Sequence, residues 1–312
     1  MSNHTTGPPS VLPLEFNFCN LDGIPRNHSA AVKTATLSIS IIMAMMSPLA
    51  VAGNTVILAV IWKKTFVRTP FHILLSGLAF TDLCTGLIAQ PLYVTASLMY
   101  IARKDSDSII IDTIGVSISI YFIATTILLI TLMSIERWLY MSRRSSVTSR
   151  RGCLTVIIIL LIPIPSVVFR VLAHDSYSNS MRVAIIATMV ACYLTTSFAY
   201  FKVYRIIRHH QQQVQANEAS QNYAQQAINL AKYKKSVTTM LFILALLSFC
   251  FMPFVVSSAI IVSQQQPRIG TYSADGVSVI LVFLSSALNP GLYLLRMNDI
   301  RHGVKQLLCT GT

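Results

Sequence analysis

Charged side chains are scarce in this chain of 312 residues, making up only 11% of the sequence. Soluble domains carry about 25% charged residues, so the scarcity excludes an ordinary soluble protein. Hydrophobic residues account for 54%, and the few charges separate long uncharged runs. A membrane-spanning helix needs about 17–25 predominantly apolar residues. The runs therefore predict an all-α membrane protein, a seven-transmembrane helix bundle with spans at 34–62, 70–100, 108–140, 151–172, 181–209, 232–263 and 274–296.

The chain has only six cysteines, and their positions do not suit a disulfide framework. Cys84, Cys192 and Cys250 fall inside predicted spans, Cys153 begins the fourth span, and Cys309 lies in the tail. Only Cys19 is predicted to lie outside the cell. Because one thiol cannot close an intrachain bridge, no extracellular disulfide is expected.

Features of enzymes and of duplicated transporters are also missing from the sequence. The seven histidines are scattered and do not show metal-ligand spacing within a span. No phosphate loop or nucleophile–base arrangement stands out, so we expect no enzyme and no cofactor. No internal repeat is evident, which argues against transporters built from two similar halves. The first 30 residues are polar and lack the apolar core of a signal peptide, so the first span is expected to direct insertion.

The positive charges are distributed unevenly along the chain. With seven spans the two ends lie on opposite sides, and an outside N-terminus puts seventeen of the 24 Lys and Arg residues in the cytoplasm. This is the positive-inside pattern of membrane proteins. The basic rim suits anionic lipid headgroups and acidic partners rather than nucleic acid. We therefore expect an extracellular segment at 1–33, the membrane domain at 34–296 and a cytoplasmic end at 297–312.

Three shorter segments carry modification or surface signals. The sequons at Asn3 and Asn27 lie on the predicted outside and indicate glycosylation. In 298–309 the apolar residues share one face, as in a short eighth helix lying in the membrane interface. Cys309 is then either a palmitoylation site or a free tail thiol. The segment 210–231 is either a helical extension of the fifth span or disordered, and its Gln and Ala content favours helix.

One acid, Asp82, lies deep in the second span, where a carboxylate costs about 2.5–3.5 kcal/mol on insertion scales. It must face polar partners inside the bundle. The candidate partners are Asn54, Thr126, Ser285, Ser286 and Asn289. A small cation such as sodium, held with water, is one interpretation, and a hydrogen-bonded knot that fixes helix packing is the other. A channel or transporter with Asp82 on an ion path is the alternative at the level of function, although the spans are too apolar to line a continuous path.

Two further motifs lie near the predicted cytoplasmic surface. Asn289 and Pro290 interrupt the last span, and such a break persists where polar groups or water satisfy the freed carbonyls. It indicates a helix built to move. Glu136, Arg137 and Trp138 end the third span; by themselves they would be read as a solvated helix end.

Together these residues resemble the rhodopsin-like (class A) G-protein-coupled receptors over about residues 34–309. Five motifs appear in order, each in its proper span. They are Gly53-Asn54; Leu78-Ala79 followed by Asp82; Glu136-Arg137-Trp138; Cys250-Phe251-Met252-Pro253; and Asn289-Pro290 followed by Tyr293. Any one of these motifs is weak, whereas the ordered set is specific.

The resemblance implies a receptor of the plasma membrane. An extracellular ligand reshapes the bundle, the sixth helix swings outward around Pro253, and a cytoplasmic crevice opens for a heterotrimeric G protein, with arrestin as a second partner. Arg137 would be the central contact, and Tyr200 and Tyr293 would turn toward it in the active form. Phe251 stands where a Trp is usual and keeps an aromatic lever without the indole donor.

Several positions depart from the family pattern. The third-helix position that normally forms the extracellular bridge is Asp112, and the fifth-helix Pro is replaced at about Cys192. These losses are similar to those in the melanocortin, cannabinoid and lysophospholipid receptor cluster. The sixth-helix position that often holds an acid is Tyr233, so Arg137 is expected to keep only Glu136 as its carboxylate partner. We therefore expect appreciable ligand-free signalling.

The expected ligand pocket is mostly neutral, because Ser119 stands where amine receptors carry an Asp. Phe283 stands where opsins carry a Lys, so a biogenic amine and covalent retinal are both excluded. Asp112 is expected to be solvated, to attract a cationic ligand or to pair with Arg182. The candidate pocket residues, which alternatively are packing residues, are Gln90, Tyr93, Ser119, Phe122, Phe254, Ser257, Ser258 and Ser278. Lipid-like, nucleoside-like and small-peptide ligands all remain open.

Overall fold

The computed structural model describes residues 29–63, 70–102, 105–142, 149–172, 178–216, 223–264 and 269–309. These residues are almost entirely helical, and seven stretches among them are long and apolar enough to cross a membrane, which confirms the predicted bundle. The helices are α1 (Ser29–Lys63), α2 (Pro70–Cys84), α3 (Gln90–Ile101), α4 (Asp105–Met141), α5 (Ser149–Leu161), α6 (Ile164–Leu172), α7 (Ser178–Ala216), α8 (Tyr223–Ser263), α9 (Ile269–Arg296) and α10 (Asn298–Cys309).

The second span is not the single α-helix that the sequence predicts over 70–100. A π-helical turn at Thr85–Ala89 separates α2 from α3. Pro91 has no N–H to donate to the carbonyl of Leu87, and the wider turn accommodates this loss. The backbone N–H of Gln90 bonds the carbonyl of Thr85, five residues earlier. The hydroxyl of Ser47 donates to the Gly86 carbonyl at 2.8 Å and supports the turn from α1.

The fourth span is also divided, so the continuous helix predicted over 151–172 is wrong at its centre. α5 ends at Leu161 and α6 begins at Ile164. Pro163 and Pro165 lack the N–H groups that a continuous helix would need at this point. The N–H of Val167 bonds the carbonyl of Pro163 at 3.3 Å, so the chain resumes its helix directly after the break.

The linking segment 210–231 is shared between two helices. α7 continues to Ala216, as the composition predicts, but α8 already begins at Tyr223. The second part of the segment therefore extends the sixth span rather than the fifth. The prediction of helix is confirmed for these described parts, and the assignment of the whole segment to the fifth span is wrong.

The bundle is organised around α4, which packs against α2, α3, α6 and α7, while α9 packs between α1 and α8. Leu75, Leu78 and Leu129 lie in the buried core, whereas Met45 and Leu295 are 67% and 75% exposed. Large exposed apolar side chains of this kind are expected on the lipid-facing surface of a membrane protein. The exposed apolar surface and the buried core together hold the helices that carry the buried polar residues.

The short interfacial helix predicted after the seventh span is α10, and it has the bounds that the sequence predicts. Its Ile300 is buried in the same core cluster as Ile57 and Tyr293. Gly303 lies directly against Val60 of α1, where a Cβ would clash with the side chain. α10 is therefore packed onto the bundle along the face that carries Ile300.

Candidate functional site

Asp82 lies at the centre of the bundle and is completely buried. The side-chain amide of Asn289 donates to its Oδ2 atom at 2.7 Å and joins α2 to α9. The other oxygen, Oδ1, has no hydrogen-bond partner within the described part of the chain. The residue is thus only half satisfied by the protein, which is costly for a buried carboxylate.

Asn54 of α1 brings a second unpartnered oxygen to this region. Its Nδ2 atom donates to the carbonyls of Ala50 at 2.8 Å and Ser286 at 3.0 Å, while its Oδ1 atom has no partner among the described groups. The neighbouring Gly53 permits the close approach of α1 to α9, because a Cβ there would lie 2.8 Å from the Pro290 ring. The site therefore combines amide and carboxylate oxygens, which are ligands that hard cations prefer.

The other candidates for this cluster are placed less uniformly. Ser286 supplies the carbonyl that binds Asn54, whereas the hydroxyl of Ser285 turns to the Val282 carbonyl of its own helix at 2.6 Å. The hydroxyl of Thr126 lies 3.5 Å from the hydroxyl of Thr81. Thr126 therefore contacts Thr81 rather than Asp82. Thr81 was not among the predicted residues, although its position directly before Asp82 was a usable signal.

Arg137 contacts an aromatic ring that the sequence analysis did not identify. Its guanidinium carbon lies 3.5 Å from the centre of the Phe71 ring, a cation–π arrangement. No hydrogen bond or ion pair joins Arg137 to Glu136 in the described residues, and Oε2 of Glu136 is buried without a partner. The two charges nevertheless interact electrostatically, so the expectation that Arg137 keeps Glu136 as its carboxylate partner stays a prediction. Phe71 was missed because nothing in its local sequence marks it as a contact of Arg137.

The aromatic residues near this end of the bundle are well packed. Trp138 meets Phe198 edge to face, with ring centres 5.9 Å apart. Tyr200 is buried beside Trp138, while Tyr293 belongs to the core between α1, α2 and α10. Phe251 is 6% exposed and lies in the core close to Phe283, directly before the Met252-Pro253 step of α8. The turning of both tyrosines toward Arg137 stays a prediction for another conformation.

A buried ion pair lies at the opposite end of the bundle. Nη1 of Arg182 in α7 lies 3.6 Å from Oδ2 of Asp275 in α9, and their side chains are 7% and 16% exposed. Ser257 donates to the second oxygen of Asp275 at 2.8 Å, and Arg182 donates to Ser258 at 3.4 Å. Asp275 is therefore a partner of Arg182 that the sequence analysis did not name, and the pairing of Arg182 with Asp112 stays a prediction. The side chain of Asp112 lies outside the described residues.

The predicted pocket residues divide into separate groups. Ser257, Ser258 and Ser278 belong to the network around Asp275, where Ser257 and Ser278 lie 3.1 Å apart. Ser119 donates to the Gly115 carbonyl at 2.7 Å, and Tyr93 lies near Phe283 with ring centres 6.3 Å apart. Phe122 packs against the cluster that contains Phe251. These contacts favour packing and network roles for several residues of the set.

Gln90 differs from the other residues of that set. It is completely buried, and neither its amide nitrogen nor its amide oxygen has a hydrogen-bond partner in the residues that the structure describes. A buried unpartnered amide costs about 1–3 kcal/mol. Gln90 is therefore the strongest candidate of the predicted set for contact with water or a bound molecule.

A cavity of about 450 Å³ lies away from most of these residues, between α4, α6, α7 and α8. Of the predicted pocket residues only Phe254 lines it. A second cavity, of about 30 Å³, lies deeper and is lined by Phe251. The side chains of Tyr233 and Cys309, and the whole of Asn3 and Asn27, lie outside the described residues.

No group of three or more His, Cys, Asp or Glu side chains in the described part of the chain could hold a metal ion. The Asp82 cluster is of another kind, because amide and carbonyl oxygens supply most of its polar atoms.

Comparison with known proteins gives a consistent result. A sequence model of the family described as "7 transmembrane receptor (rhodopsin family)" matches residues 53–293. Similar proteins include "Probable G-protein coupled receptor 45" from Homo sapiens, 20% identical over 87% of this chain and 82% of its own length. "G-protein coupled receptor 12" from Rattus norvegicus is 22% identical over 93% of this chain and 90% of its own length. "High-affinity lysophosphatidic acid receptor" from Xenopus laevis is 19% identical over 86% and 82%, respectively.

Proposed function

This chain belongs to the rhodopsin family of seven-transmembrane receptors, and from that premise we propose that its Arg137 end opens to admit a heterotrimeric G protein. The chain is a multi-pass membrane receptor that couples to G proteins, and it is not an enzyme. The observation that supports the proposed switch is the contact between Arg137 and Phe71. A guanidinium stacked on a ring, without a direct hydrogen bond to a described carboxylate, has only the contact with the ring and the attraction of Glu136 to give up on release toward a partner.

The direct test is nucleotide exchange on purified G proteins mixed with the full chain in lipid nanodiscs. Arg137→Ala is expected to abolish exchange, because it removes the proposed central contact. Arg301→Ala is the matched control: the side chain of this exposed arginine of α10 donates to Asn298 at 2.9 Å, its one side-chain hydrogen bond among the described residues, and its loss should leave exchange near the wild-type level. Equal exchange by the Arg137 variant and the wild type would refute the proposed role.

The Phe71 ring offers a second test, of ligand-free signalling. Phe71→Leu keeps an apolar side chain but removes the ring face, so it should release Arg137 and raise ligand-free exchange. The lost cation–π contact corresponds to about 0.5–2 kcal/mol, or roughly a two- to thirtyfold change in the switch equilibrium. Phe71→Tyr keeps the face and serves as the control. A Leu variant with the same ligand-free exchange as the Tyr variant would remove Phe71 from the switch.

We further propose that sodium binds at Asp82. Two buried oxygens without partners, Oδ1 of Asp82 and Oδ1 of Asn54, support this assignment over a self-contained polar knot. The ion would supply the positive charge that no described side chain provides there. Asp82 would bind it directly, and Asn289 would hold the carboxylate in place through its hydrogen bond.

The orientation and modifications complete the proposal. The excess of Lys and Arg beside the Arg137 end supports a cytoplasmic position for that end, an extracellular N-terminus and residence in the plasma membrane. Glycosylation at Asn3 and Asn27, palmitoylation at Cys309, arrestin binding and contact with anionic lipids follow from this orientation. Loss of a glycosidase-sensitive mass shift in Asn3→Gln/Asn27→Gln would test the sidedness directly, and an unshifted wild type would contradict it.

A further inference from the structure

The 450 Å³ cavity has the size of a ligand site and lies at the edge of the bundle. Small-molecule sites occupy about 300–1,000 Å³. Its inner wall includes Ile127 and Phe254, and its outer rim includes Ile162 and Phe169, which are 55% and 50% exposed. Because α6 and α7 both present exposed apolar residues at the rim, the cavity faces the surface that contacts lipid chains.

The walls of this cavity offer almost no polar chemistry. Among the side chains that the structure describes, none that lines it is charged, and the polar ones are Ser166, Ser180 and Thr188. The hydroxyl of Ser166 already donates to the Pro163 carbonyl at 2.7 Å, and that of Thr188 donates to Ala184 at 2.8 Å. An apolar cavity of this kind stays free of water. A polar or charged ligand would therefore lose its solvation without gaining partners.

A hydrocarbon chain that enters such a space gains dispersion energy, because its CH₂ groups pack against the lining side chains. The empty cavity lacks these contacts. The bilayer supplies hydrocarbon chains at the rim itself. We propose that the cavity binds the aliphatic chain of an uncharged single-chain lipid, which enters from the bilayer between α6 and α7. As a ligand site this deepens the proposed function and rests on it, since a bound chain signals only in a working receptor.

The uncharged character of the lipid is argued from the charged groups that the structure describes beside the lining. Arg182 directly follows the lining residue Met181 and is paired with Asp275 of α9. Neither of them lines the cavity. A charged headgroup would therefore have to disrupt this buried pair to find a counter-charge, whereas a neutral headgroup need not.

The cavity is connected to the moving part of the receptor. Phe254 follows Pro253 directly, and a chain in the cavity would press on it. The smaller cavity of about 30 Å³, lined by Phe251, shares Ile127 and Met189 with the larger one. A lipid chain in the larger cavity would thus act on Phe251 through the side chains of Ile127 and Met189. The bound lipid is an activating ligand, because filling the cavity wedges α8 away from α4.

Photolabelling tests the binding site. The full chain in phosphatidylcholine nanodiscs is irradiated with a monoacylglycerol that carries a mid-chain diazirine, and adducts are located by mass spectrometry. Adducts should concentrate on the lining segments of α4, α6 and α7 and fall about tenfold in Ala184→Phe, which fills the cavity. Ala187→Phe makes the same change at an exposed position of α7 outside the lining and should label normally. Ala124→Leu fills the cavity from α4 and replaces the Ala184 variant if that variant does not fold.

Several results would overturn the inference. Labelling spread evenly over exposed residues such as Met45 and Leu295, or unchanged in both filling variants, would show annular lipid only. Stronger labelling by a fatty acid with the same diazirine would overturn the uncharged headgroup. Normal labelling by a lipid that leaves nucleotide exchange unchanged would overturn the activating role. Failure of the proposed function is read separately: Arg137→Ala would then match the wild type in exchange while labelling persists.

Discussion

Two buried carboxylates, Asp82 at the centre of the bundle and Asp275 near the end opposite Arg137, are treated differently by the fold. Asp275 has an arginine within 3.6 Å and a serine hydroxyl donating to its second oxygen at 2.8 Å. Asp82 has one amide donor at 2.7 Å and one oxygen without a partner in the described chain. The protein supplies a counter-charge for the first carboxylate, whereas no described side chain does so for the second.

The depth of each site explains the difference. Asp275 lies close enough to the membrane boundary for Arg182 to enter the bundle from the start of α7 without a long desolvated path. A cation at the depth of Asp82 would carry its own large insertion cost. A mobile ion that enters with water would balance the Asp82 charge without a permanently buried cationic side chain and its insertion cost. The comparison thus separates an ion pair completed within the protein from a carboxylate that the described residues satisfy only in part.

Removing one member of the ion pair should have the largest effect on stability. Arg182→Ala leaves the Asp275 carboxylate buried without its cation, which costs about 3–5 kcal/mol in buried pairs. The double variant Arg182→Met/Asp275→Leu should recover most of that loss, because no charge remains. Thermal unfolding can be followed with a thiol-reactive dye, since Cys192 and Cys250 are buried free thiols. A double variant no more stable than the single would show that the pair is not a charge-compensation unit.

The packing around the two acids can be compared with matched glycine substitutions. Gly53→Ala, beside the Asp82 cluster, places a Cβ 2.8 Å from the rigid Pro290 ring. Overpacking of this kind costs about 1–3 kcal/mol. Gly276→Ala, beside Asp275, meets only the flexible end of Ile39 at 3.1 Å. Its clash should be absorbed by a small side-chain movement, so the unfolding temperature should fall in the first variant and stay nearly constant in the second. Equal decreases of the unfolding temperature in the two variants would show that the Pro290 ring is no more rigid an obstacle than the Ile39 side chain.

Sodium should stabilise the wild type through Asp82 and not through Asp275. With sodium at about ten times its dissociation constant, linkage predicts a gain of about 1.4 kcal/mol relative to a larger cation. Asp82→Asn should remove the difference between sodium chloride and choline chloride. Asp275→Asn, although less stable overall, should retain it. Sodium dependence that survives in the Asp82 variant would move the ion to another site.

The smallest change is expected at Gln90, which has two unpartnered polar atoms but no charge. Gln90→Leu removes a buried amide whose loss of solvation is not offset by any described hydrogen bond. The free energy of unfolding of the ligand-free protein should therefore rise by about 1 kcal/mol. Gln90→Asn keeps an amide and is the control, with no gain expected. If the Leu variant is instead less stable, the amide has a partner in the membrane, and bound water becomes the first candidate.

Much of the fold could be predicted from the sequence because the membrane imposes a simple rule on each segment separately. Span lengths, the helical bounds of α10 and the mid-membrane position of Asp82 all follow from local composition. The breaks at Thr85–Ala89 and at Pro163 were not predicted, although the prolines were visible. Whether a proline bends, widens or divides a helix depends on the neighbours that accept its freed carbonyls.

The candidate site was predicted only where each of the two partners belongs to a recognisable motif. Asp82 and Asn289 were expected to meet and do so. The pairing of Arg182 with Asp275, and of Arg137 with Phe71, could not be read from the sequence, because each joins helices whose rotation is set by packing. The same holds for the cavity that Phe254 lines, which exists only between neighbouring helices.

The sequence by itself determined that seven helices cross a membrane, that most of the positive charges gather at one end of the bundle, and which polar residues must be hidden from lipid. These follow from the cost of exposing charges and backbone groups to hydrocarbon, a cost that acts on each residue wherever the helix packs. The tertiary structure alone decided which hidden groups meet and where space remains between helices. Contacts and voids of this kind depend on the relative rotation and spacing of whole helices, which no single segment encodes.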